Sequence, residues 1–167
     1  MVYKRVILKR GKEESLKRFH PWVFSGAIAR MDNIEEGDLV TVYDHEGNLI
    51  GNGHYQIGSI AVRILTFDDT EIDSAFFVKR LTEAYKMRQA LGLSRPDNNA
   101  FRLVHGEGDF LPGLVVDIYG STAVMQAHSP GMHFARNLIA DALTQLPNGV
   151  VKNVYYKSET TLPFKAD

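Results

Sequence analysis

FRLVHGEGDFLPGLVVDIYG, residues 101–120, is the segment on which the rest of the chain turns. Phe101, Leu103 and His105 alternate with Arg102 and Val104, which is the period of a strand. Gly106, Gly108, Pro112 and Gly113 then supply a fixed φ and the backbone freedom that a sharp reversal needs. Residues 114–118 resume an extended apolar run. The segment therefore reads strand, tight turn, strand. A helical pattern precedes it and a period-2 apolar run, residues 122–127, follows, so it joins two halves of the chain.

At 167 residues and 44% apolar, the chain can bury a core and suits one or two small domains. No apolar run approaches the roughly 20 residues of a membrane span, and the N-terminal MVYKRVILKRGK lacks the apolar centre of a signal peptide. The expectation is a soluble cytoplasmic protein with no membrane partner. The chain has no cysteine, which excludes disulfides, thiolate zinc sites and a cysteine nucleophile within it. A net charge of -1 conceals segregation. Residues 1–30 carry eight Lys/Arg against two Glu, residues 31–75 one Arg against ten acids, and residues 76–95 five basic residues against one acid. Gathered positive charge is the footprint of a polyanion-binding face. Solvated lysines and arginines are the plain alternative.

In chain order, residues 2–9 alternate as a strand, and residues 13–19 allow one or two helical turns that His20-Pro21 stops. Three short strands follow, residues 39–43, 49–55 and 60–65, the first two joined by the His45-Glu46-Gly47-Asn48 turn. The acidic tract 68–73 reads as a linker or solvated turn. Residues 72–91 have the helical period, with Phe77, Val78, Leu81, Ala84, Tyr85 and Leu91 on one arc, Asp73 or Ser74 as N-cap and Gly92 as the stop. Arg88 projects from that arc. Either its stem packs while its head reaches water beside the helix dipole, or it pairs with Glu107 or Asp109 and fixes the Gly-rich turn, because a buried guanidinium needs a partner. Farther on come a strand at 122–128 and a helix opened by Ser129-Pro130. Phe134, Leu138, Ile139, Ala142, Leu143 and Leu146 share a face of this helix, Pro147-Asn148-Gly149 terminates it, and a last strand spans 150–156. The expected class is α+β: a small β-barrel over residues 1–70, then a small α+β domain over 71–167 of antiparallel strands with a helix.

RLVHGEGDFLPGLVVDIYG resembles the signature of the RlmI-type bacterial large-subunit rRNA methyltransferases, which form 5-methylcytosine with S-adenosylmethionine (SAM). RFHPWVFSGAIAR, residues 18–30, is similar to the opening of the PUA-like domain of the same family. The resemblance implies a PUA-like fold for the first domain and a central α+β domain for the second. It also implies a third, Rossmann-type domain holding the methyl donor and the catalytic cysteine. The chain reaches KSETTLPFKAD about where the third domain is expected to begin, so the sequence is expected to be a truncated or natural fragment; residues 159–165 depart from the family pattern, which leaves the subfamily open. No catalytic residue and no cofactor are expected in this chain, SAM being implied for the full-length protein. The implied partner is RNA of the large subunit, with the oligomeric state, a homodimer included, left open.

Candidate site residues follow from chemistry. RNA modules stack unpaired bases on aromatic rings while Lys and Arg hold phosphates. Lys9, Arg10, Lys12, Lys17 and Arg18 are the phosphate candidates, with His20 and Tyr55 as exposed rings and Trp22 and Phe24 as core. His105, Glu107 and Asp109 place an imidazole and two carboxylates within five residues, but Gly106 and Gly108 favour a structural turn over a metal or acid/base site. Gly51-Asn52-Gly53 and Gly106-Glu107-Gly108 lack the third glycine of a dinucleotide loop, at Gln56 and Leu111, and neither opens a helix. Two rival functions remain. One is a freestanding RNA-binding or protein-interaction module, and the other a small hydrolase using His105 and Asp109.

Overall fold

The computed structural model describes residues 3–162, so Val2 of the first predicted strand and residues 163–165 of the divergent closing segment lie outside the described residues. The chain divides into two compact units, Met1–Ile72 and Asp73–Asp167.

The first unit contains β1 (Lys4–Leu8), a one-turn helix α1 (Glu14–Lys17), β2 (Trp22–Phe24), β3 (Ile28–Met31), β4 (Leu39–Tyr43), β5 (Leu49–Tyr55) and β6 (Ile60–Thr66). They form one six-stranded sheet in the order β2-β6-β5-β4-β1-β3, with β1 parallel to β4 and the other pairs antiparallel. Val6, Leu8, Val40, Val42, Val62 and Ile64 meet with Leu16 of α1 in its core. The β4–β5 turn forms because the Asp44 carboxylate accepts the Glu46 and Asn48 backbone N–H groups, both at 2.9 Å, and Gly47 takes a φ of +89°. Asp68 similarly accepts Thr66 Oγ1 at 2.6 Å and the Thr70 N–H at 2.9 Å. The acidic tract is therefore a built turn, and Ile72 within it is buried.

Gly51 and Gly53 let two strands approach where no side chain fits. A Cβ at Gly51 would lie 2.1 Å from the Thr66 carbonyl oxygen, and one at Gly53 would lie 2.2 Å from that of Arg63. Between them, Asn52 accepts Thr41 Oγ1 at 2.7 Å and donates to the Thr70 carbonyl at 3.0 Å. His54 is buried on the same strand, and its Nδ1 has no hydrogen-bond partner among the described residues. Burial, aided by the Arg63 charge, pushes its pKa down to about 4.

The second unit contains α2 (Ser74–Ala90), β7 (Ala100–His105), β8 (Leu114–Tyr119), β9 (Thr122–Ala127), α3 (Pro130–Phe134), α4 (Arg136–Thr144) and β10 (Asn153–Tyr156). Its sheet runs β10-β9-β8-β7. Strands β7, β8 and β9 pair antiparallel, whereas β10 returns parallel to β9 through the α3–α4 crossover. Asp73 caps α2 by accepting the Phe76 N–H at 2.9 Å, so the helix starts at Ser74 rather than at residue 72. Phe76, Phe77, Leu81, Ala84 and Tyr85 are buried. Leu91, expected on that arc, lies beyond the last turn and is exposed, because Gly92 at φ +70° ends the helix there. The single helix expected after Ser129-Pro130 is two. The chain breaks at Ala135, which turns Phe134 and Leu138 outward while Ile139, Ala142 and Leu143 stay buried. On β7 the register shifts between Arg102 and Val104, so Leu103 and Val104 are both buried instead of alternating.

Candidate nucleic-acid interface

The basic segment of the first unit ends on an edge strand. Phe19 adopts φ +64° after α1, His20 is exposed, and β2 begins at Trp22. Val23 points into the core at 1% exposure, and the period of the strand therefore puts Trp22 and Phe24 together on the opposite side. Phe24 is 50% exposed and Trp22 half-buried, so the expectation that both are core is corrected. A one-sided, three-residue edge strand has one face to bury, and Val23 takes it. The rings form a ladder, with His20 edge-on to Trp22 at 5.5 Å and Trp22 edge-on to Phe24 at 6.3 Å. The imidazole is held in turn by the Trp22 backbone N–H, which donates to His20 Nδ1 at 3.3 Å. Beside them a groove of about 310 Å³ is lined by Lys12, Ser15, Leu16, Trp22, Phe24 and Ala27.

Tyr55, expected on the surface, is only 9% exposed. It sits on the interior strand β5, packed in the core against β6, and drops out of the candidate set. Not every cation of the segment is available either. Lys4 holds Asp38 at 2.7 Å, Arg5 lies 3.6 Å from Asp32, and Lys17 lies 3.8 Å from Glu13. The Lys4 hydrogen bond keeps the Asp38 carboxyl below the usual carboxylate range. Lys9 Nζ donates to the Gly26 carbonyl at 2.9 Å. Arg10, Lys12 and Arg18 are exposed and make no ion pair among the described residues. The structure therefore brings Trp22, Phe24 and Lys12 together around one groove, with His20 edge-on to Trp22. Sequence reading missed Trp22 and Phe24, because the exposure of their side of β2 is set by the strand's place at the sheet edge.

In the second unit the Gly-rich turn is held from inside. Gly106–Asp109 form a 3₁₀ turn, and Phe110 follows with φ +57°. Arg88 grips Asp109 with both terminal guanidinium nitrogens, Nη1 to Oδ1 at 2.6 Å and Nη2 to Oδ2 at 2.7 Å. Its Nε donates to the Arg102 carbonyl at 3.1 Å, and Asp109 Oδ2 also accepts the His105 backbone N–H at 2.7 Å. The Asp109 side chain is 3% exposed and that of Arg88 12%. Of the two readings of Arg88, the structure realises the pairing, with Asp109 and not Glu107 as partner. Both Asp109 oxygens are thus engaged, so it offers no base to a hydrolase. Among the described residues no group of three or more His, Asp or Glu gathers around a possible metal position.

Neither glycine pair fits a methyl donor. Gly51 and Gly53 lie inside β5 with the space above them filled by the β6 backbone, and Gly106 and Gly108 lie in a turn that leads to β8. No step of a methyl transfer can be derived from these residues.

The family profile of the PUA-like domain matches residues 6–67. The first unit is a PUA-like domain. Beyond it, the chain is 41% identical to the ribosomal RNA large subunit methyltransferase I of Escherichia coli (strain SMS-3-5 / SECEC) over 85% of its own length and 36% of that protein's. The Klebsiella pneumoniae (strain 342) protein of the same name is 40% identical over 87% of the chain and 37% of its own length. The resemblance to the RlmI-type methyltransferases thus extends well past the PUA-like domain, while the chain spans little more than a third of the length of these relatives. Among solved structures, a candidate SAM-dependent methyltransferase from Streptococcus mutans shares the fold, with a TM-score of 0.78 at 18% identity over 95% of this chain and 41% of that one. A candidate methyltransferase complexed with SAH gives the same score and identity, with 40% of its chain covered. Among the described residues, no helix is long and apolar enough to cross a membrane.

Proposed function

We propose that this chain is the RNA-recognising portion of a SAM-dependent rRNA (cytosine-C5) methyltransferase, with its PUA-like domain as the contact surface. The observation that carries the reading is the exposed His20–Trp22–Phe24 ladder beside Lys12, on a domain whose relatives are named as rRNA methyltransferases. An exposed aromatic edge costs stability in an isolated domain and suits an unpaired base, which offers a π-face to each ring. Arg10, Lys12 and Arg18 would hold the flanking phosphates, as charges not already neutralised by carboxylates. His20 would orient Trp22 rather than read sequence. The nucleophile that attacks cytosine and the methyl-donor site would lie outside these residues, since the chain has no cysteine. The second unit would position the reacting domain.

The test is fluorescence anisotropy of the 167-residue chain on a structured large-subunit rRNA fragment across a salt series, with duplex DNA of matched length as control. RNA should be preferred, with log affinity falling against log salt by roughly 0.7 per phosphate contact. Trp22→Ala should weaken binding by roughly 5- to 100-fold with the salt slope unchanged, since it removes a stacking surface and no charge. Absence of binding at low salt would overturn the reading.

A further inference from the structure

The aromatic ladder opens onto a second groove. Beyond Phe24 the chain makes a 3₁₀ turn, Ser25–Ala27, and passes at once into β3. Strands β2 and β3 are the two edges of the six-stranded sheet, so three residues join its opposite borders and hold them close together. Strand β1 runs beside this crossing. The Lys9 N–H donates to the Ala27 carbonyl at 2.8 Å, and Leu8 and Ile7 then pair with Ile28 and Arg30. Ala27 lines the groove beside the ladder, whereas Ile7 and Arg30 line a second groove of about 340 Å³ together with Arg5, Met31 and Asp32. Three residues along one stretch of chain therefore separate the two grooves, about 10 Å at the rise of β structure.

Val6 and Leu8 point into the core, so Arg5 and Ile7 face away from it, as Trp22 and Phe24 do on either side of Val23. Charge then identifies the chemistry of the second groove. Its carboxylate is already engaged, since Asp32 Oδ2 accepts the Arg5 N–H at 2.7 Å and lies 3.6 Å from Arg5 Nε. Arg30 is exposed and makes no ion pair among the described residues, which leaves the groove with two guanidinium groups against one carboxylate. At the rim of the first groove, Lys9 Nζ donates to the Gly26 carbonyl at 2.9 Å. That bond uses one of its three donors on a neutral acceptor and keeps the charge. Lys12, Lys9 and Arg30 are thus cations with no carboxylate partner among the described residues, set along the way from the ladder to the second groove. An apolar partner would bury these charges without satisfying them, whereas a polyanionic strand brings a phosphate to each.

We propose that Arg30 is a phosphate contact, and that the RNA strand whose base stacks on the ladder continues past Lys9 into the second groove. This rests on the RNA-recognition reading and adds to it the path of the bound strand across the PUA-like domain, from β2 to β3. A guanidinium suits the position because its planar fork donates to two phosphate oxygens at once.

The experiment measures anisotropy of the full chain on a stem–loop RNA with an unpaired loop across a salt series, with Trp22→Ala in parallel and thermal melting of each variant. Arg30→Ala should lower the salt slope by about 0.7, one phosphate contact, with Tm unchanged, and Arg30→Lys should retain the slope. Replacing the loop phosphates one at a time by uncharged methylphosphonates should find one position that weakens the wild type and leaves Arg30→Ala unaffected. If Trp22→Ala weakens binding but Arg30→Ala leaves the slope alone, this inference falls and the ladder reading survives. A loss in Arg30→Ala that no single phosphate reproduces would reflect the general field of the domain and would overturn the contact. If the wild type does not bind RNA, the ladder reading falls and takes this inference with it. A lowered Tm for Arg30→Ala with the slope unchanged would make the residue structural.

Discussion

The two family motifs invert the usual placement of side chains in opposite ways. In RFHPWVF, the aromatic residues that would ordinarily fill a core are turned out along an edge strand. In HGEGDF, the charged residue that would ordinarily be solvated is turned in, with Asp109 locked against Arg88. Each inversion follows from the element that hosts it. Strand β2 has a single buried position, Val23, so its neighbours go outward whatever their hydrophobicity. The 3₁₀ turn buries its last residue beneath α2, so whatever stands there has to be satisfied by the helix. The exposed inversion is suited to binding and the buried one to fixing a backbone path. Mutations should therefore separate them, with stability falling at one motif and affinity at the other.

The largest effect is expected inside the second unit. Asp109→Ala leaves the Arg88 guanidinium buried without its partner and should cost roughly 3–5 kcal/mol in urea denaturation. Arg88→Met combined with Asp109→Leu should recover most of that. A tolerated Asp109→Ala, or Arg88→Met with an unchanged or higher Tm and intact RNA binding, would erase the contrast.

A second buried polar group sharpens the comparison from the other unit. His54, with its pKa pushed down to about 4, stays neutral in the folded chain while the unfolded chain takes up a proton below about 6.5. Its contribution is complete above pH 6.5 and is lost as the pH falls to about 4, amounting to about 3 kcal/mol. Burial lowers His133 as well and acts in the same direction. The His54→Phe variant should thus show a flatter stability profile over that range. An unchanged profile would mean that His54 does not titrate differently on folding.

The smallest effects belong to the surface cations. Lys12→Ala and Arg18→Ala should each reduce the salt slope of RNA binding by about one contact, with little change in Tm. Lys4→Ala, whose charge is already held by Asp38, should leave the slope alone. Equal slopes for all three would mean that the ion pairs do not sort the cations.

Much of this was legible in the sequence. Every strand except β2 and β3, the capped helix α2, the His45–Asn48 turn and the PUA-like character of the first unit follow from periodicity, turn residues and the two motifs. The alternatives for Arg88 included the contact that forms, because a guanidinium on an apolar arc has few ways to be satisfied. What was hidden depends on neighbours that periodicity does not describe. Tyr55 is buried because β5 is an interior strand, and strand order is a property of the sheet rather than of the segment. Trp22 and Phe24 are exposed because β2 is an edge. The Ala135 break, which exposes Phe134 and Leu138, and the register shift on β7 are local departures from an ideal period that leave no compositional mark. The parallel return of β10 could not be seen from a strand's own residues.

The close approach of β5 to β6 bears on how this chain tolerates change. Gly51 and Gly53 look like half of a nucleotide-binding loop, yet each is required by the backbone of the neighbouring strand. In a library of all single substitutions selected for folded protein, both positions should return almost only glycine. Gly26 and Gly108, where an added Cβ meets nothing within 4 Å, should accept alanine. A glycine pattern retained for steric reasons would then be invisible to any comparison that reads invariance as ligand binding.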